Sequence, residues 1–67
     1  MKIPWNTIDK QLQYKIREAY PSDFYGPEEF WEMTTEAKQE EVLFFILNNS
    51  KKLTKLTLKY IEEMNLS

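Results

Sequence analysis

The 67-residue sequence contains neither cysteine nor histidine, and this double absence limits what the chain can fold into more than any residue that is present. A domain of this length buries only about 60% of the surface that its unfolded chain exposes. One core of that size yields about 3–5 kcal/mol of net stability. Small domains usually add disulfides or a Cys/His zinc site, and neither can form here. Stability must therefore come from dense packing or from association. Four phenylalanines, four tyrosines and two tryptophans carry large apolar areas per side chain, so packing alone can suffice.

A single glycine and three prolines leave little material for tight turns, which argues against hairpins. The predicted fold class is all-α. We expect a compact bundle of three to four short helices, at about 7–20, 27–33, 35–48 and 51–64, in one small domain spanning 1–67.

In the first segment, Asn6 or Thr7 is placed to cap a helix, with Asp9 three residues after Asn6 in the manner of a capping box. Ile8, Leu12, Ile16 and Ala19 share one arc of the helical wheel, while Lys10, Gln13 and Arg17 lie opposite. Pro21 disfavours helical geometry at Tyr20 and ends the helix there. Gly26-Pro27 reads as the next start, because the missing N–H of proline does no harm in a first turn. Glu28 and Glu29 then suit the positive end of the helix dipole. Thr34 or Thr35 caps a third helix, which runs into the apolar stretch Val42 to Leu47. With no polar break in that stretch, we expect burial on several sides and a central position. Asn48-Asn49-Ser50 forms a break, with Ser50 as the cap of the last helix. There Leu53, Leu56, Thr57, Tyr60, Ile61 and Met64 make an apolar arc, opposite Lys51, Lys52, Lys55 and Lys59.

Charge is segregated along the chain. Residues 1–20 are net +2, residues 21–41 net −6 and residues 42–67 net +2. Such an arrangement favours compaction or self-association as readily as an external partner. Lysine outnumbers arginine, represented only by Arg17, a bias common in AT-rich coding sequences such as those of phages and mobile elements.

Lack of histidine and cysteine removes the commonest general base, the commonest activated nucleophile and the softer metal ligands. Glu28, Glu32, Glu36 and Glu40 recur every four residues, but the Thr34-Thr35 break interrupts that register, and first-turn glutamates serve helix dipoles. No phosphate-binding glycine loop or nucleophile elbow is present. We therefore expect a protein that is not an enzyme, with no metal, no cofactor and no catalytic residue. The longest apolar run is too short to cross a bilayer, and the expected location is cytoplasmic, away from membranes.

Two surfaces carry the functional expectation. Aromatic residues dominate interface hot spots, so Phe24, Tyr25, Phe30, Trp31 and Phe45 are the candidates for contact with another protein. Phe45, opposite Leu43 and Leu47 on the wheel, is also the candidate for burial between subunits of a homo-oligomer. These features point to a small regulator or inhibitor of a larger protein. The alternative is a nucleic-acid-associated accessory factor, with Lys51, Lys52, Lys55 and Lys59 touching phosphates. A third reading, suggested by the acidic middle, is a mimic of nucleic acid. Leu56 to Ser67 resembles the first helix and turn of a winged-type helix-turn-helix, with Ile61, Met64, Asn65, Leu66 and Ser67 at matching positions. The resemblance implies a recognition helix that would start where the sequence stops, so it assigns no base-reading residue.

Overall fold

The computed structural model describes residues 1–20 and 26–65. Four α-helices make up most of it: α1 (Lys10–Ala19), α2 (Pro27–Met33), α3 (Glu36–Asn49) and α4 (Thr54–Asn65). Short 3-10 turns at Trp5–Thr7 and Lys51–Leu53 lead into α1 and α4. No strand occurs among the described residues, and no described helix is long and apolar enough to cross a membrane.

Helix boundaries follow local chemistry, with two departures from expectation. The start of α1 is set by Asp9, whose carboxylate accepts from Gln11 N at 2.9 Å. Asn6 and Thr7 do not cap it, because both belong to the 3-10 turn and the Thr7 hydroxyl donates backwards to the Pro4 carbonyl at 2.7 Å. Ser50 does not cap α4 either. Its side chain makes no capping bond, while its carbonyl accepts from Leu53 N and closes the second 3-10 turn. Elsewhere the expected signals hold. Pro27 occupies the first turn of α2, and Thr35 Oγ1 accepts from Lys38 N at 3.1 Å to cap α3.

The core collects Leu12 and Ile16 from α1, Trp31 from α2, Val42, Leu43 and Ile46 from α3, and Tyr60, Ile61 and Met64 from α4. Among the described elements, the contact between α3 and α4 is the most extensive. The stretch from Val42 to Leu47 is not buried on several sides, however. Val42, Leu43 and Ile46 face inward, Leu47 is half-buried, and Phe44 and Phe45 are exposed. A four-helix domain of this size covers one side of α3 and leaves the other in water.

The N-terminal segment contributes core residues that helical periodicity does not reveal. Ile3, Trp5 and Ile8 are buried against the helices. Ile3 is held by both of its backbone groups: its N–H donates to Gln39 Oε1 at 2.8 Å, and its carbonyl accepts from Trp31 Nε1. Gln39 is itself fully buried and donates to the Trp31 carbonyl at 3.1 Å. Trp5 N donates to Glu32 Oε1 and its carbonyl accepts from Gln13 Nε2, each at 2.8 Å. Tyr60 Oη donates to the Thr7 carbonyl at 3.0 Å and accepts from Asp9 N at 2.9 Å. A segment without a helix of its own must find partners for its backbone polar groups elsewhere, and these side chains supply them.

Candidate functional site

The aromatic residues singled out from the sequence have different fates. Phe24 and Tyr25 lie outside the described residues. Trp31 is not a surface residue: it is 0% exposed and anchors Ile3 from within the core. Its indole N–H finds a carbonyl only because the N-terminal segment crosses it. Phe30 is half-buried and stacks on Tyr20, with ring centroids 5.7 Å apart and planes at 17°. Phe45 is 47% exposed and meets the same Tyr20 ring edge-on at 5.8 Å. Lys38 Nζ lies 5.8 Å from that ring, so Tyr20 joins the end of α1 to α2 and α3.

The lysine stripe also divides. Lys51, Lys52, Lys55 and Lys59 are all exposed. Lys59 Nζ sits 5.5 Å from the Tyr60 ring. Lys51 and Lys52 turn toward α1 instead, where they join Lys10 and Lys15 around an open cleft of about 740 Å³. Tyr14, 62% exposed, and Leu53 give this cleft an apolar floor, together with the methylene stems of the lysines. Gln11 and Ser50 complete the lining, and no carboxylate contributes to it. A second hollow of about 190 Å³ shares Lys15 and Ser50 with the first and extends to Phe45. The seam between α1 and the end of α3 thus carries a basic cleft at one end and an aromatic edge at the other.

Its electrostatics are unusual for helix ends. Negative side chains are favoured near helix N-termini and positive ones near C-termini. Both α2 and α3 obey this, with Glu28, Glu29 and Glu36 in their first turns. Neither α1 nor α4 has an acidic residue in its first turn, although the Asp9 carboxylate caps α1. Lys10 opens α1, while Lys51, Lys52 and Lys55 surround the start of α4. Among the described residues, only Lys15 of the four cleft lysines forms an ion pair, a loose one to Glu18 at 3.9 Å.

Comparison with protein-family models, with curated proteins and with solved structures finds no match. The site is therefore defined by its own geometry.

The glutamates spaced by four do not converge. Glu32 is bound to the Trp5 amide, Glu36 meets the Met1 amino group, and no acidic group that could hold a metal ion exists among the described residues. Sequence reasoning missed Tyr14, Lys10 and Lys15 as site residues because Lys10 and Tyr14 fall on the polar face of α1 and Lys15 at the edge of its apolar arc. Nothing in the local pattern links that face to Lys51 and Lys52, some 40 residues later.

Proposed function

We propose that this chain is a non-catalytic binding module that engages another protein through the cleft between α1 and the α3–α4 corner. The observation that carries this reading is Tyr14, an aromatic ring left 62% exposed at the floor of a lysine-rimmed cleft. An exposed tyrosine beside an apolar floor has the make-up of an interface anchor, since its ring gains from desolvation while its hydroxyl tolerates water. A chain without histidine or cysteine acts most simply by occupying a surface, as a regulator or inhibitor of a larger partner.

A photo-crosslinking residue placed at position 14, and separately at the exposed Met33 on α2, tests the reading in the cells that make the protein. The expected result is a discrete adduct with a second polypeptide from position 14 and none from position 33. A nuclease-sensitive adduct, or none at position 14, refutes it.

A second reading rests on Phe44 and Phe45, adjacent and both exposed on α3. They support self-association through that face. Sedimentation of the wild type and of Phe45→Glu tests it: a dimer that the substitution dissociates supports this reading, and a wild-type monomer at high protein concentration removes it.

A further inference from the structure

We infer that the segment received by the cleft is acidic: a peptide stretch with carboxylates flanking one apolar side chain. This rests on the proposed role in binding a protein and adds the chemistry of what is bound.

Charge complementarity carries the inference. Lys10, Lys15, Lys51 and Lys52 line the cleft with no carboxylate among them. Lys10, Lys51 and Lys52 have no carboxylate within ion-pair distance among the described residues. Like charges gathered at one place repel one another, and an anionic ligand relieves that repulsion as well as adding its own attraction. The floor of Tyr14, Leu53 and lysine stems calls for an apolar group at the centre. Ammonium groups around an apolar floor fit carboxylates around an apolar side chain.

A short peptide fits this field better than a long polyanion does. The chain has net charge −2, and residues 21–41 concentrate the acid. Even Glu41, the acidic residue of that stretch nearest to Ser50 along α3, lies nine residues from it, about 14 Å at the helical rise of 1.5 Å per residue. The Debye length at physiological salt is about 8 Å, so a peptide confined to the cleft scarcely senses the acidic end. A nucleic acid running across the domain would meet it.

The test is fluorescence anisotropy on the full chain with four labelled probes. These are a peptide with glutamates flanking a central leucine, its glutamine counterpart, the glutamate peptide with alanine for leucine, and an oligothymidylate. The glutamate–leucine peptide should bind most tightly, and added salt should weaken it. Combined Lys10→Gln, Lys51→Gln and Lys52→Gln should weaken binding about tenfold, since solvent-exposed rim charges each contribute modestly. Tyr14→Ala should weaken it as well, and Lys59→Gln, outside the cleft, should leave it unchanged. Circular dichroism of each variant separates lost binding from lost folding. Equal binding of the glutamine peptide, or no binding of either, overturns the acidic assignment. Tighter binding of the oligothymidylate through the same lysines reassigns the cleft to nucleic acid and overturns it too. Self-association abolished by the lysine substitutions makes a second copy the occupant, with the same consequence. If acidic peptides fail while position 14 still crosslinks to a protein, the binding role stands and only the chemistry of the ligand is wrong.

Discussion

Replacing Gln39 by glutamate should turn this domain into one that folds in acid and unfolds at neutral pH. Gln39 is fully buried, accepting from Ile3 N and donating to the Trp31 carbonyl. A protonated glutamate reproduces both contacts, with its carbonyl as acceptor and its O–H as donor. The ionised form keeps only the acceptor and places a charge where no water reaches. Full burial raises the pKa of a carboxylic acid by about three or more, and each unit is worth about 1.4 kcal/mol. At pH 7, where part of the folded variant is still protonated, the loss is thus about 3.5 kcal/mol, comparable with the whole stability of a domain this size. The sign follows from proton linkage: the folded variant binds the proton more tightly than the unfolded chain. Its stability relative to wild type is therefore full below the unfolded glutamate pKa of about 4.3 and declines as pH rises above it. Urea denaturation of both proteins, followed by circular dichroism between about pH 4 and pH 8, measures the difference. Gln39→Leu provides the control. It orphans the Ile3 N–H but not the Trp31 carbonyl, which still accepts from Thr34 N and Oγ1. Its cost should be about 1–3 kcal/mol and independent of pH. A Gln39→Glu variant that tracks wild type at neutral pH would refute a dry, buried network at this position.

Tyr60→Phe removes the partner of both the Thr7 carbonyl and the Asp9 amide; it should cost about 1–2 kcal/mol in urea denaturation and speed amide exchange at Asp9. Thr57 is fully buried with an unpartnered hydroxyl among the described residues, so Thr57→Val should raise stability by about 1 kcal/mol; a lower melting temperature would mean that the hydroxyl is satisfied by water. Asp9→Ala should destabilise by about 1 kcal/mol through loss of the α1 cap, while Asn6→Ala should change stability by no more than about 0.5 kcal/mol, and the reverse order would return the cap to Asn6.

Periodicity made α1 and α4 legible, because each alternates apolar and charged residues around the wheel. Ile8, Leu12 and Ile16 are buried as expected, and so are Leu53, Thr57, Tyr60, Ile61 and Met64. In α3 the same method found a helix but not its orientation. A run of six apolar residues contains no polar marker of the outer side, and Phe44 and Phe45 emerged there. Gln39 shows the converse, a polar residue among charged neighbours that is buried because Ile3 and Trp31 need its amide. Such a requirement depends on tertiary partners and leaves no local trace. Ile3 and Trp5 lie beside Pro4 in a stretch too short to show any period. The basic cleft is half visible in sequence: the spacing of Lys51 and Lys52 marks them, yet their cleft partners come from α1 and not from Lys55 and Lys59. Trp31 stands in a distinctive aromatic segment, but aromatic character alone does not separate an interface ring from a core ring, and this one is in the core.

The N-terminal segment sets the order of events during synthesis. Residues 3 to 9 are made before most of their native partners, which include Trp31, Glu32, Gln39 and Tyr60. Translation at about 5–20 residues per second leaves an interval of several seconds before residue 60 is joined to the chain. Throughout it, Ile3, Trp5 and Ile8 have no native core to enter. For a helical domain, whose contacts are usually local and whose folding is correspondingly fast, this is an unusually late closing step. The nascent chain therefore presents a short apolar stretch, two of whose members flank a proline, to whatever binds such segments near the ribosome. A stretch made well before its partners is thus among the last to reach its native place.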